Sequence, residues 1–194
     1  CDWSSDVCSS DLQFMEWYSK LPFKHKILIA GNHDFYFERA TPDMIERLLS
    51  RYPSITYLND SGVEIDGVKI WGSPVQPWFY NWAFNLPRNG EDLREKWFWI
   101  PNDTDILVTH GPPWGHCDVT PYGNLNVGCE LLRVRVDELK PKIHVFGHVH
   151  SGYGYKFHEG THFINASVLN ERYNYENKPI TVDWNPETNE LEFI

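Results

Sequence analysis

Cysteine is scarce in this sequence, with four in 194 residues, and no two are spaced C-x-x-C. That spacing begins most thiolate zinc sites, so its absence argues against a structural zinc of that kind. No apolar run approaches the roughly 20 residues a membrane-spanning helix needs, which argues against a membrane protein. Basic residues are too few for a nucleic-acid footprint: 17 Lys and Arg face 27 Asp and Glu, a formal net charge of -10. An acidic surface counts against nonspecific duplex binding. It does not count against a small anionic substrate, because a bound metal supplies positive charge locally. No internal repeat, low-complexity tract or linker interrupts the chain, and its length suits one domain. What is plentiful is aromatic, including nine tryptophans.

The first twelve residues, C-D-W-S-S-D-V-C-S-S-D-L, have neither a helical nor a strand period. They also lack the charged, apolar and small-residue regions of a signal peptide. The stretch reads in a single frame as the translation of a common sequencing-library adapter, a disordered natural terminus being the alternative. On the adapter reading residues 1–12 stand outside the fold, and the domain covers 13–194. Cys117 and Cys129 are then the remaining cysteines, which fits a reducing, cytoplasmic setting. Without Asp2, Asp6 and Asp11 the balance is 24 acids against 17 bases, or -7. The same reading expects natural sequence to be missing upstream of residue 13.

Apolar residues at Phe14, Trp17, Tyr18 and Leu21 predict a helix that Pro22 ends. Lys26–Ala30, Asp105–Thr109 and Lys142–Phe146 are short apolar runs that read as buried strands. Thr41-Pro42-Asp43 starts a helix with a cap and an early proline, its apolar face being Met44, Ile45, Leu48 and Leu49. Further helices are expected at 91–99 and 129–139, and further strands near 55–58, 63–65, 68–71, 153–157, 162–164, 180–182 and 191–194. Helices alternating with buried strands, followed by strands alone, point to an α/β fold with sheets in the middle.

Three of the buried strands run directly into polar, glycine-containing segments. These are Gly31-Asn32-His33-Asp34, His110-Gly111-Pro112-Pro113 and Gly147-His148-Val149-His150. In open α/β sheets ligands bind beyond the carboxyl ends of strands, so three such strands in one sheet would gather these segments. Imidazole nitrogen and amide oxygen suit manganese, iron or zinc, whereas calcium prefers an all-oxygen site.

In this order, G-N-H-D, H-G-P-P and G-H-V-H resemble the last three signature motifs of the calcineurin-like metallophosphoesterases. Trp71-Gly-Ser-Pro74, Gln76-Pro-Trp-Phe-Tyr80, Phe84-Asn-Leu-Pro-Arg88 and His144–His150 bring the resemblance nearest to the metallophosphoesterase-domain-containing branch. The resemblance implies a four-layer α/β/β/α sandwich, here lacking its N-terminal strands. It implies a phosphoesterase, more specifically a phosphodiesterase, with a dinuclear centre of Mn, Fe or Zn and a hydroxide nucleophile. Asn32, His110 and His148 would ligate one metal and His150 the other. His33 would be the general acid, and Asp34 would orient it. The family's upstream D-x-H and G-D motifs do not occur before Gly31, so the chain as given is expected to bind one metal and to be impaired. The implied substrate is a small phosphoester, with nucleotides among the candidates.

Other readings stand beside these. A nuclease of the same family is one, against which the acidic charge counts. A non-catalytic protein-binding scaffold is another, against which the intact Asn32, His33, His110, His148 and His150 count. His116, in a Gly/Pro-rich loop, is either a substrate contact or a loop residue. Arg88 either grips phosphate or forms a surface ion pair. Trp78 opens an aromatic cluster through Trp82 that either anchors the loop or stacks on a nucleobase. His144 lies inside a strand and reads as a packed, hydrogen-bonded histidine rather than a ligand.

Overall fold

The computed structural model describes residues 9–194. Residues 1–8 of the adapter-like stretch lie outside the described part. Its last four residues form the start of α1 (Ser9–Ser19). The face that α1 buries differs from the expected one. Met15 is fully buried and Leu12 and Tyr18 pack around it, three residues apart on one face. Phe14 and Trp17 point to solvent and lie against the Tyr18 ring at 5.4 and 6.2 Å.

From α1 the chain passes through β1 (Lys26–Leu28), α2 (Phe35–Arg39), α3 (Pro42–Leu49) and β2 (Ile55–Tyr57). Thr41 caps α3 by accepting the Met44 N–H, with Pro42 in the first turn, as the sequence predicts. There follow β3 (Ser61–Ile65), β4 (Val68–Ser73), β5 (Gln76–Pro77), β6 (Asn85–Leu86), α4 (Glu91–Phe98), β7 (Ile106–Thr109), α5 (Glu130–Leu139) and β8 (Ile143–Phe146). A 3-10 turn (His150–Gly152) then leads to β9 (Gly154–His158), β10 (Thr161–Asn165), β11 (Val182–Asn185) and β12 (Glu190–Phe193).

Six strands form one sheet in the order β3-β4-β7-β8-β10-β9, parallel from β4 to β10 with antiparallel strands at both edges. The period-2 alternation sorts its side chains onto two faces. Trp71, Leu107, Phe146 and Phe163 meet Leu93 and Trp97 of α4 and Leu132 and Val136 of α5 in one core cluster. Gly72 and Val108 are paired in register one position on from Trp71 and Leu107, and so take the opposite face. A Cβ at Gly72 would lie 2.5 Å from Leu58 Cβ and 2.8 Å from Ile29 Cγ2. Glycine is therefore what lets the β1–β2 unit press against this face. Behind β1 and β2, α1 and α3 cover a second cluster built on Met15, Leu48 and Ile55. The layers run helix, sheet, sheet, helix, the four-layer α/β order.

One expectation needs correction. The strands preceding the three motifs do not share a sheet. β7 and β8 are neighbours in the large sheet, but among the described residues β1 pairs only with β2, in a separate parallel ribbon. Close packing between the two layers, not hydrogen bonding along one sheet, brings the first motif to the other two. No helix among the described residues is long and apolar enough to cross a membrane.

Candidate metal centre

Three side chains from three strand ends converge. His110 Nε2 lies 2.8 Å from Asn32 Oδ1 and 3.1 Å from His148 Nδ1. Nitrogen and oxygen ligands sit about 2.0–2.2 Å from a zinc-like ion, so adjacent donors are separated by about 3 Å. The trio has that spacing. Burial, with His148 beside it, holds His110 well below the usual imidazole range, and burial with His150 nearby brings His148 down to about 4. Both rings are therefore neutral near pH 7, the state that offers a lone pair. Among the described residues no three His, Cys, Asp or Glu side chains cluster as a metal site, and the Asn32 amide is what completes this set.

Backbone geometry explains how the donors meet. A Cβ at Gly31 would fall 2.7 Å from the His110 ring, so only glycine lets this loop pass so close. Asp34 Oδ2 accepts the Gly31 N–H at 2.6 Å and closes the turn that carries Asn32 and His33. The carboxylate thus fixes the turn and makes no direct bond to the His33 ring. Burial pushes its pKa up, opposed by that N–H and by His33. His148 has φ 68, a left-handed value for a branched-ring residue, inside a tight turn where Val149 N–H reaches Gly147 O at 2.8 Å. Such a conformation costs on the order of 1–3 kcal/mol and persists only where neighbours enforce it.

The enforcing neighbour is Asn165, at the end of β10 and fully buried. Its Nδ2 donates to Val149 O at 2.8 Å and to Cys117 O at 3.0 Å, stapling the third motif to the loop after the second. The strand-end position of Asn165 was the only sequence signal for this role. A second brace runs behind His110. Thr109 donates its hydroxyl proton to Gly111 O at 2.7 Å, so its oxygen must accept from His144 Nε2–H at 2.8 Å. His144 is thus a buried, hydrogen-bonded residue and not a ligand, with a pKa pushed down to about 3 by burial.

The remaining candidates are placed as follows. His150 Nδ1 faces Asn170 O at 2.9 Å. A carbonyl only accepts, so Nδ1 carries the proton and Nε2 keeps its lone pair, the usual arrangement of a metal-binding histidine. His33 is exposed, with its ring centroid 5.1 Å from Trp82. Arg88 is committed elsewhere: its guanidinium donates to Gly128 O, Val127 O and Glu130 Oε2 at 2.7–2.9 Å. It braces the segment entering α5 with three of its five N–H donors. His116 is fully buried and stacked on Phe163 with centroids 3.8 Å apart, out of reach of a substrate. Trp78 is exposed and stands off the cluster, whereas Trp82, partly buried, faces both His33 and His148 at 5.1 and 6.1 Å.

Comparison with known proteins bears on this constellation directly. The family model for calcineurin-like phosphoesterases matches residues 2–152, a span that includes all three motifs. The chain belongs to the calcineurin-like phosphoesterase family. It is 44% identical over 191 residues to metallophosphoesterase domain-containing protein 1 of Homo sapiens, across 88% of this chain and 58% of that protein. It is 37% identical over 196 residues to UPF0046 protein T07D4.2 of Caenorhabditis elegans, across 88% of this chain and 49% of that protein. The chain therefore spans half to three-fifths of these relatives. In fold it is similar to TT1561 of Thermus thermophilus, with a TM-score of 0.60 at 14% identity, covering 98% of this chain and 80% of that one. Membership makes this a metallophosphoesterase domain of the metallophosphoesterase-domain-containing branch, in a family that uses divalent metal ions.

Proposed function

We propose that the protein hydrolyses a small phosphodiester at a centre that holds a divalent transition metal on Asn32, His110 and His148, with His150 as a ligand to a second ion. The observation that carries this is the convergence of Asn32 Oδ1 and His148 Nδ1 on His110 Nε2 within 3.1 Å. When bound, such ions neutralise phosphate oxygens and lower the pKa of water. The chain's own groups do the rest. His110 and His148 are held neutral, and Asn165 and the His144–Thr109 brace fix their backbones. His33, on the open side beside Trp82, presents a proton to the leaving oxygen, and Asp34 holds the turn that aims it.

A diester rather than a monoester fits the two aromatic flanks: Trp82 against His33, and Tyr173 against His150 at 5.2 Å. Each flank can hold one substituent of the phosphorus. Nucleotides are among the substrates this arrangement admits, and the acidic chain disfavours a duplex. Cys117 and Cys129 are both free, as a reducing, cytoplasmic setting requires.

The test uses the whole protein loaded with Mn²⁺ or Zn²⁺ and a chromogenic diester. His33→Ala should keep its metal and lose about 10²- to 10⁴-fold in kcat. Unchanged turnover would remove His33 from the acid role, and absence of turnover in the unaltered metal-loaded protein would sink the hydrolase reading.

A further inference from the structure

The loop between β5 and β6 displays aromatic side chains in a way that its internal structure enforces. Phe79 and Tyr80 are 50% and 68% exposed, yet the loop beneath them is tightly built. Asn85 Oδ1 accepts from Gln76 Nε2 at 3.0 Å, and Asn85 Nδ2 donates to Tyr80 O at 2.7 Å. Gln76, itself 2% exposed, also donates to Ala83 O. Phe84 N–H reaches Glu38 Oε1 at 2.6 Å, and Ala83 N–H reaches Asn32 O at 3.0 Å, which ties the loop to a ligand-bearing residue. Tyr80 and Phe84 both take left-handed backbone values, φ 51 and 58.

Those rings form one assembly. Phe79, Tyr80 and Trp82 lie with centroids 4.6–5.4 Å apart. The assembly borders the metal trio, with Trp82 6.1 Å and Phe79 6.5 Å from the His148 ring. It also borders His33, through Trp82. The side of the site that presents the proton is therefore the side with the aromatic platform.

We propose that Phe79, Tyr80 and Trp82 form a leaving-group subsite that selects phosphoesters whose departing alcohol carries a flat aromatic ring. This rests on the phosphoesterase reading and adds to it which half of the substrate is recognised, and by what chemistry. A planar ring stacks on the exposed faces with little loss of side-chain freedom, because the platform is already ordered. Stacking of this kind is tolerant of ring identity and strong enough to change affinity by about tenfold or more.

The test compares methylphosphonate with phenylphosphonate, which share charge and phosphorus oxygens, by calorimetric titration into the metal-loaded chain. Phenylphosphonate should bind about tenfold more tightly. Phe79→Ala combined with Tyr80→Ala should erase that advantage and leave methylphosphonate binding unchanged; both positions are solvent-exposed, so the fold is retained. Methylphosphonate binding with no phenyl advantage, or an advantage that survives the double substitution, overturns the platform and leaves the phosphoesterase reading standing. Phenyl-dependent binding without any methylphosphonate binding shows an aromatic-binding surface that does not serve phosphorus, and overturns both the leaving-group subsite and the phosphoesterase reading. Binding of neither overturns both.

Discussion

Gly31 has no side chain, and that is its contribution to the site. An added methyl would meet His110 Cε1 and Nδ1 at 2.7 Å. Gly31→Ala should therefore displace the His110 ring and weaken metal binding by about tenfold or more, a size typical of disturbed ligand support. Equilibrium dialysis against Zn²⁺ reads that loss, and thermal unfolding without metal should change little. His144 acts at the same scale through protonation. Its pKa is held near 3 in the folded chain, while an unfolded histidine titrates near 6.5. Between those values the unfolded chain binds more protons, so stability falls as pH drops below about 6.5, by up to roughly 1.4 kcal/mol per pH unit. His144→Phe, beside Phe146 and Phe163, should make that acid limb shallower, with the buried His110, His116 and His148 supplying the rest of it. Urea unfolding at pH 5 and pH 7 on both proteins measures the difference. The meeting of Asn32, His110 and His148 was legible in the sequence, because the three stand at strand ends in motifs of distinctive order. At Arg88, His116 and Trp78 the sequence leaves two readings open, because residue type does not say whether a guanidinium or a ring is already occupied by the fold.

Asn165 belongs to a strand end and controls a turn in another element. Removing its amide with Asn165→Leu leaves the carbonyl of Cys117 without its donor and that of Val149 with the Gly152 N–H alone, at 3.0 Å. The unpaired carbonyl costs about 1–3 kcal/mol. The strained His148 turn should then relax, so the variant should lose both stability and metal affinity, measured by thermal unfolding and by dialysis on the same sample. Element types and positions were largely evident from periodicity and caps, as at Thr41-Pro42. The buried face of α1 was not: Phe14 and Trp17 are as apolar as Met15, and only packing decides which of them is covered. The 76–86 loop was invisible for a related reason. Its two-residue strands are too short for a period, and its shape depends on the Gln76 and Asn85 side chains.

At the scale of the molecule, the site exists because two layers press together. The ribbon of β1 and β2 meets the six-stranded sheet at Gly72, and this contact lets the loop after β1 reach those after β7 and β8. The three strands are evident in the sequence but their sheet is not, because a buried apolar run does not reveal its partner. Gly72→Ala would place a methyl 2.5 Å from Leu58 Cβ, so it should cost about 1–3 kcal/mol, as overpacked cores do. The central claim is that this layered packing assembles a metal site from Asn32, His110 and His148. Elemental analysis after dialysis against Zn²⁺ tests it most directly, on the chain and on its Asn32→Ala and His110→Ala variants. The account predicts one tightly held ion per chain, with affinity at least tenfold weaker in each variant. A chain that retains no metal, or variants that hold it as tightly as the unaltered protein, would contradict it.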